Sequence, residues 1–216
     1  RHRMLAAMAS AMDDAVGLIL AKLSERGLEK NTMVVFLSDN GSPAHFGAGS
    51  NAPLGGEKVT YYEGGIRVPF LIRFPGRIKA GGQYDLPVSS LDVLPTLLAA
   101  AGAAKPAELD GVDLMPHLTG RGKQAPHDTL YWRAGYETAA RRGPWKLIQL
   151  GEDVRLFHLG KDLAETTNVA SQHADVTRQL VEAVARWSSG LAKPLWPPAR
   201  IPIPVHGEPL RWDGEP

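Results

Sequence analysis

The stretch MVVFLSDNGSPAHFG, from Met33 to Gly47, joins an apolar strand pattern to a polar turn. Met33 to Leu37 is a continuous apolar run rich in β-branched residues, which is typical of a strand buried on both faces in a parallel sheet. Asp39 and Asn40 follow at the carboxyl end of this strand, where open α/β sheets place their binding crevices. Their carboxylate and amide oxygens suit calcium or magnesium. For the tripeptide Asp-Asn-Gly alone, a plain turn remains the alternative interpretation.

The composition is that of an ordinary globular chain. Hydrophobic residues make up 44% and charged residues 22% of the sequence. The length of 216 residues allows one large domain or a domain with a smaller companion. The formal net charge of +1 creates no global field, so no nucleic-acid partner is expected. We also expect no membrane partner, because no continuous run of about 18 apolar residues occurs. The absence of cysteine excludes disulfides, thiolate metal ligands and thiol nucleophiles.

The first part of the chain has an α/β pattern. The segment RVPFLIRFP predicts a second strand, and SSLDVLPTLLAAAG predicts a helix with Ser89 or Ser90 as N-cap and Gly102 as its stop. A long Gly-rich loop, from Gly41 to about Gly65, separates the two strands. A first helix, ended by Gly27, is predicted from apolar residues at helical spacing: Leu5, Met8, Met12, Val16, Ile19 and Leu23.

The second part changes character near Thr129. The short runs TLYWRA, AARRGPWKLIQL and VRLFHL are separated by turn residues and predict a small antiparallel sheet. The segment HADVTRQLVEAVARWSSG predicts an amphipathic helix laid on that sheet. The Pro-rich tail is expected to be extended. We therefore predict an α/β domain over residues 1–128, a small sheet-and-helix subdomain over 129–190 and a tail over 191–216.

A family resemblance covers most of the chain, up to about Gly190. FLSDNG, LGGEKVTYYEGGIRVPF, SSLDVLPTLLAAAG with LDGVDLMPHLTG, RRGPWKLIQL and RLFHLGKDLAETTNVA follow one another in the order seen in type I sulfatases. The chain resembles the C-terminal half of these arylsulfatase-like enzymes of the alkaline phosphatase superfamily. The resemblance implies the C-terminal part of an alkaline-phosphatase-like α/β sandwich, followed by a small antiparallel sheet and a helix.

The resemblance also implies site residues. Asp39 and Asn40 correspond to two ligands of a divalent metal, Ca²⁺ or alternatively Mg²⁺. Lys58 corresponds to a catalytic lysine that contacts both the sulfate and the nucleophile, and a lysine is a recurrent point charge for binding anions. His45 is a candidate substrate-binding residue, although a surface histidine is the alternative. Glu63 and Arg67 are interpreted as a structural charge pair, and Gly55 stands where family members often carry arginine.

The nucleophile region of the family is missing from this sequence. No cysteine occurs, and no Ser-x-Pro-x-Arg motif occurs. Family members also carry two consecutive aspartates that supply further metal ligands. The adjacent Asp13 and Asp14 do not correspond to them, because they lie inside a helix pattern. The primary hypothesis is therefore a fragment of a sulfate ester hydrolase that is inactive alone, unless Ser42 or Thr60 replaces the nucleophile. One alternative is a non-catalytic sulfatase-like binding protein. Another is a phosphate or phosphonate ester hydrolase of the same superfamily.

The expected partners follow from these hypotheses. The substrate would be an aryl or carbohydrate sulfate ester. The chain would associate with a missing N-terminal half or with itself, because an incomplete sheet exposes an edge or an apolar patch. The resemblance further implies a periplasmic or secreted protein.

Overall fold

The computed structural model describes residues 1–47, 49–135, 137–193, 195 and 203–210. The chain divides into two compact units, one of residues 1–38 and 69–128 and the other of residues 39–68 and 129–216. The loop 39–68, which the sequence analysis assigned to the first 128 residues, thus groups with the C-terminal unit. The domain boundaries drawn from the sequence stay a prediction.

The described residues form both helices and strands. The helices are α1 (His2–Glu25), α2 (Glu63–Ile66), α3 (Val93–Ala100), α4 (Met115–Leu118) and α5 (Ala174–Ser189). The strands are β1 (Val34–Leu37), β2 (Phe70–Arg73), β3 (Leu130–Ala134), β4 (Glu137–Arg142), β5 (Trp145–Leu150), β6 (Asp153–His158), β7 (Ile203–Val205) and β8 (Glu208–Leu210).

Helix α1 ends as its sequence predicts. Gly27 has a φ of +66°, and the N–H groups of Gly27 and Leu28 donate to the carbonyls of Ser24 and Leu23 at 2.9 Å. This left-handed glycine satisfies the last carbonyls of the helix. None of the helix residues is buried. The exposed apolar side chains of α1 are Met4, Leu5, Met8, Met12, Leu18 and Ile19.

Length and hydropathy alone would allow α1 to cross a membrane. Its 24 residues include an 18-residue stretch that is apolar enough for this. Core helices of soluble proteins and signal sequences share this length and apolar composition, so these two properties alone do not identify a membrane span. The expectation of no membrane partner stays a prediction.

Strand β1 differs from its sequence prediction. It pairs antiparallel with β2, with Val34 opposite Arg73 and Leu37 opposite Phe70. All four residues of β1 are half-buried. The prediction of a strand buried on both faces in a parallel sheet is therefore wrong for the described part of the chain, where β2 is the neighbour of β1. The apolar run is present, but a two-stranded ribbon covers it incompletely.

Helix α3 begins with a capping box. The Ser89 hydroxyl accepts from the N–H of Leu91, and Asp92 Oδ2 accepts from the N–H of Ser89 at 2.7 Å. Ser89 is thus the cap, as one of the two predicted choices. A single 3₁₀ turn, Ser90–Asp92, leads into α3, and Gly102 follows the helix with a φ of +66°.

The C-terminal unit contains a four-stranded antiparallel meander in the order β3-β4-β5-β6, as predicted. Both faces of the sheet are covered. On one face Leu147 and Leu156 pack against Leu180 and Val184 of α5. On the other face Ile148 and Phe157 pack against Tyr61 and Tyr62, which lie in the segment between β1 and β2 that also carries Lys58. Ala139 and Val205 belong to the same cluster. The sheet therefore has an apolar contact to the segment that carries the candidate site.

Part of the Pro-rich tail is extended, as predicted, and is paired into two short strands. Strands β7 and β8 form a hairpin whose Ile203 and Val205 are buried. Apolar side chains at alternate positions of β7 explain this pairing, because they give the strand one buried face. Residues 194, 196–202 and 211–216, on which the prediction of an extended tail also falls, lie outside the described residues.

Candidate functional site

The loop after β1 folds back on itself through Asn51. Asn51 Oδ1 accepts from the N–H of Ser42 at 2.8 Å, and Asn51 Nδ2 donates to the carbonyl of Ser42 at 2.8 Å. The same Nδ2 atom lies 3.2 Å from the carbonyl oxygen of Gly56. One side chain thus ties the start of the loop to the turn that precedes Lys58.

Lys58 lies beside the segment that begins with the predicted metal pair. Its backbone N–H donates to the carbonyl of Ser42 at 3.4 Å, and Ser42 comes two residues after Asn40. The side chain of Lys58 is exposed. Backbone geometry therefore brings together the two motifs that the sequence separates by 17 residues, from Gly41 to Glu57. Convergence of the Lys58 ammonium with the oxygens of Asp39 and Asn40 stays a prediction.

Asp39 and Asn40 offer oxygen atoms at the start of this loop. Asp39 is exposed, and its Oδ1 accepts the N–H of Asn40 at 2.9 Å. Among the described residues Asp39 Oδ2 accepts no hydrogen bond. Asn40 Nδ2 donates to the carbonyl of Gly41 at 3.0 Å, which places the amide oxygen on the opposite branch of the side chain. These two donors fit a hard cation but supply only part of the six to eight oxygens that calcium prefers.

A fuller acidic cluster is not found in the described ranges. They contain no group of three or more His, Asp or Glu side chains that could hold a metal ion. Within those ranges Asp39 and Asn40 belong to no larger cluster of this kind, and their role as metal ligands stays a prediction.

Glycines permit close backbone contacts around the site. Gly41 donates its N–H to the carbonyl of Gly65 at 2.9 Å, and a side chain on Gly41 would overlap the carbonyl of Gly64. Gly64 in turn donates to the carbonyl of Gly55 at 2.7 Å. A side chain on Gly55 would overlap the carbonyl of Ala164. The arginine that family members often carry at this position therefore has no room in this backbone.

The turn after Lys58 is strained. Val59 has a φ of +81°, a conformation that is an outlier for a β-branched residue. Thr60 holds this turn, because its Oγ1 donates to the carbonyl of Glu57 at 2.8 Å and accepts from the N–H of Glu57 at 3.1 Å. The hydroxyl of Thr60 is thus occupied and buried, which argues against its use as a nucleophile. Strain of this kind is concentrated at functional sites in proteins.

His45 is held by Glu57. The buried Glu57 Oε2 accepts the backbone N–H of His45 at 2.7 Å, and Glu57 Oε1 contacts the ring Nδ1 of His45. Because the ring nitrogen Nδ1 faces a carboxylate, that carboxylate sets the tautomer and the orientation of the imidazole. The sequence analysis named His45 but did not find Glu57. A glutamate immediately before the lysine was the available signal.

A buried ion cluster lies behind the loop. Lys146 Nζ is 3.0 Å from Glu63 Oε1 and 3.4 Å from Glu165 Oε1, and all three residues are at most 1% exposed. Arg141 Nη1 lies 3.2 Å from Glu63 Oε2. The predicted pair between Glu63 and Arg67 is present at 3.7 Å but is the longest of these contacts.

The two carboxyl groups of this cluster, Glu63 and Glu165, differ in the direction of their pKa shifts. For Glu63, burial opposes ionisation, but Lys146 and the nearby arginines hold its pKa below the usual range. For Glu165, burial is the largest effect and raises its pKa to about 7, although Lys146 partly opposes the shift. Two carboxyls beside one lysine are thus held with different affinities for a proton.

Four further histidines make local contacts. His127 Nε2 lies 2.9 Å from Asp92 Oδ1, and His117 Nδ1 lies 3.3 Å from the Tyr84 hydroxyl. His158 and His173 each contact the ring of Trp145 with a centroid distance of 4.7 Å. None of these four contacts involves Asp39, Asn40 or Lys58.

Two family models match the chain. The model described as "Sulfatase" matches residues 3–103, and the model described as "N-sulphoglucosamine sulphohydrolase, C-terminal" matches residues 57–189. The chain belongs to the sulfatase family. Its match to the C-terminal region of type I sulfatases confirms the resemblance drawn from the motifs.

Individual relatives agree with this family. The chain is 43% identical to the steryl-sulfatase of Rattus norvegicus over 129 residues, which is 56% of this chain and 22% of that protein. It is 37% identical to human arylsulfatase A over 169 residues, which is 77% of this chain and 31% of that protein. The chain therefore spans less than a third of the length of these two relatives.

Solved structures share the fold. Ps i-CgsB in complex with k-i-k-neocarrahexaose matches with a TM-score of 0.82 and 31% identity, over 92% of this chain and 45% of that one. The phosphonate monoester hydrolase of Agrobacterium radiobacter matches with a TM-score of 0.67 and 25% identity, over 82% of this chain and 39% of that one. The chain is thus a mixed α/β member of this group of hydrolases, with small antiparallel sheets.

Proposed function

We propose that this chain carries the lysine and one metal-binding corner of a sulfate ester hydrolase site. The observation that carries the proposal is the hydrogen bond from the backbone N–H of Lys58 to the carbonyl of Ser42, at 3.4 Å. That bond brings the lysine turn next to the segment that starts with Asp39 and Asn40. Membership of the sulfatase family supports sulfate ester hydrolysis as the reaction of the complete enzyme.

Asp39 and Asn40 are proposed to hold a divalent cation, Ca²⁺ or alternatively Mg²⁺. The Asp39 carboxylate and the amide oxygen of Asn40 are the donors. When bound, such an ion supplies Lewis-acid polarisation of the sulfuryl oxygens. Because the described residues add no third acidic ligand, binding by this chain alone should be weak, with a Kd of about 1 mM or higher.

Lys58 is proposed to bind the sulfate and to stabilise the charge that develops on it. The ammonium is a compact point charge, suited to a tetrahedral anion. The strained Val59 and the bonds from Thr60 to Glu57 fix the backbone from which this side chain extends. His45, oriented by Glu57, is proposed as a second substrate-binding group on the same loop.

The substrate is proposed to be an aryl or carbohydrate sulfate ester. The relatives include both an arylsulfatase and a protein solved with a neocarrahexaose, so both classes have support. A phosphonate ester is the second candidate, favoured by the structural match to a phosphonate monoester hydrolase. A divalent cation and a lysine suit either tetrahedral anion.

We further propose that the isolated chain is inactive and that the complete enzyme is periplasmic or secreted, as the family resemblance implies. No residue of the 216 is a cysteine, and no Ser-x-Pro-x-Arg motif occurs, so nothing in the chain can become formylglycine. Non-catalytic binding is the alternative for this chain. Turnover of 4-nitrophenyl sulfate by the purified chain would contradict the proposed inactivity.

The metal and anion sites can be tested by calorimetry. We expect Ca²⁺ to bind the wild-type chain weakly and sulfate to bind more tightly in its presence. Asp39→Ala should abolish the Ca²⁺ signal and Lys58→Ala the sulfate signal, whereas exposed controls, Asp13→Ala and Lys79→Ala, should retain them. Equal binding by Asp39→Ala and wild type would refute the metal assignment.

A further inference from the structure

Helix α2 is the common support of both halves of the proposed site. The carbonyl of Gly65 accepts the N–H of Gly41, which directly follows Asn40. The N–H of Gly64 donates to the carbonyl of Gly55, at the turn that leads to Lys58. The backbone of α2 thus touches the chain beside the metal pair and the chain before the lysine.

The position of α2 is set from the C-terminal sheet. Lys146 on β5 contacts Glu63, the first residue of α2, at 3.0 Å. Glu165 Oε2 accepts the N–H of Glu63 at 2.6 Å, and Lys146 contacts the other oxygen of Glu165 at 3.4 Å. Lys146 therefore connects the side chain of Glu63 with the residue that caps its backbone.

Burial makes this connection rigid. Lys146 is 0% exposed and Glu63 is 1% exposed, so neither charge is hydrated by bulk water. Movement of this ammonium would remove the contacts to Glu63 Oε1 and Glu165 Oε1 and leave Glu63 paired only through Oε2, with Arg141 and Arg67, which is costly in such surroundings. The ring of Trp132, with its centroid 5.7 Å from Lys146 Nζ, covers the ammonium on another side.

We propose that Lys146 is a positioning residue of the site: acting through Glu63, it fixes α2 and so holds the Asp39–Asn40 segment and the Lys58 turn in register. The proposal rests on the proposed function, because the relative position of these two segments matters for activity only if both belong to one site. A lysine that only stabilised the fold would lower the stability of the whole C-terminal unit equally. A positioning lysine would in addition control how often two hydrogen bonds of α2 open, the one from Gly41 to the carbonyl of Gly65 and the one from Gly64 to the carbonyl of Gly55.

Amide hydrogen exchange on the complete 216-residue chain separates these roles. In Lys146→Met, the amides of Gly41 and Gly64 should exchange faster by about tenfold or more, relative to amides of α5 in the same sample. Lys161→Met, which removes an exposed lysine, is the matched control and should leave all these rates unchanged. Uniform acceleration across the unit, or unchanged rates at Gly41 and Gly64, would overturn the proposal.

A double variant covers the case in which Lys146→Met does not fold. Lys146→Met/Glu165→Gln removes the buried ammonium together with one of the two buried carboxyls beside it, and the same two amides should open selectively in it. Lys146→Arg should restore much of their protection, because it restores the cation. Protection at Gly41 and Gly64 equal to wild type in the double variant would refute the positioning role.

Calcium titration connects the proposal to function. Ca²⁺ binding should weaken about tenfold or more in Lys146→Met, although Lys146 is not a proposed ligand, because the groups that orient metal ligands affect affinity to this extent. If wild type binds no Ca²⁺, the proposed metal corner fails, while the exchange measurement still decides whether Lys146 sets the register of the loop. Unchanged exchange with intact Ca²⁺ binding would refute the positioning role alone.

Discussion

The carboxylate of Glu57 holds His45 at two points, accepting its backbone N–H at 2.7 Å and contacting its ring Nδ1. Glu57→Ala removes both contacts and leaves the His45 amide without its acceptor. We expect the free energy of unfolding to fall by about 1–3 kcal/mol, as for other lost bonds to a buried charged group. Urea denaturation followed by fluorescence measures this change.

A matched variant checks the reason for the loss. Glu57→Gln keeps an oxygen for the backbone N–H and should cost less than Glu57→Ala. Equal stability of Glu57→Ala and wild type would show that the contact between Glu57 and His45 contributes nothing.

Glu137 should make the stability of the chain pH-dependent. Burial raises the pKa of Glu137 to about 8, well above the value of an unfolded glutamate near 4.5. The folded state therefore favours the protonated carboxyl. The resulting stabilisation is complete below about pH 4.5 and is lost as pH rises through about 8.

Thermal melts should detect this loss. We expect the Tm to fall by several degrees between pH 5 and pH 9, and we expect Glu137→Gln to flatten that decline. The exposed control Glu152→Gln should behave as wild type. The same slope in Glu137→Gln and wild type would assign the pH dependence to other groups.

Gly55 is expected to resist substitution. A side chain there would overlap the carbonyl of Ala164 and crowd the ring of His206. Gly55→Ala should destabilise the chain by about 1–3 kcal/mol, and Gly55→Arg by more, because backbone rather than a flexible side chain must move.

Gly17 provides the opposite control. It lies inside α1 with no atom near its missing side chain, so Gly17→Ala should stabilise the helix by about 0.5–1 kcal/mol. Chemical denaturation tests whether Gly55→Ala and Gly17→Ala change the free energy of unfolding in opposite directions. Normal stability of Gly55→Arg would show that this loop can adopt the arginine form of the family motif.

The exposed apolar face of α1 should drive self-association. Met8 is 64% exposed and Met12 is 51% exposed, one helical turn apart. Sedimentation velocity should show mass that rises with concentration for wild type, and the variant Met8→Lys/Met12→Lys should shift toward monomer. A wild-type chain that stays monomeric at all concentrations would contradict this prediction.

Local sequence patterns predicted most of the elements. The meander from β3 to β6, helix α5, the Ser89 cap and the end of α1 at Gly27 all follow from short-range periodicity and capping chemistry. The family motifs likewise placed the chain correctly, because their order and spacing are specific.

Long-range pairing was less accessible. The antiparallel partner of β1 lies more than thirty residues away, and a continuous apolar run does not reveal which strand it meets. Lys146 was also missed, because a lysine within an apolar strand is ordinarily a surface residue. Its partners Glu63 and Glu165 are 83 and 19 residues distant in sequence, so their shared burial appears only in three dimensions.

The central claim is that the metal pair and the lysine belong to one site, and paramagnetic NMR tests it most directly. With Mn²⁺ in place of Ca²⁺, we expect the amide of Asn40 and the side-chain CεH₂ resonances of Lys58 to broaden together. Excess Ca²⁺ should reverse the broadening, Asp39→Ala should abolish it, and Asp13→Ala should leave it unchanged. Broadening at Asn40 with sharp Lys58 CεH₂ resonances would contradict the account, because the lysine would then point away from the metal.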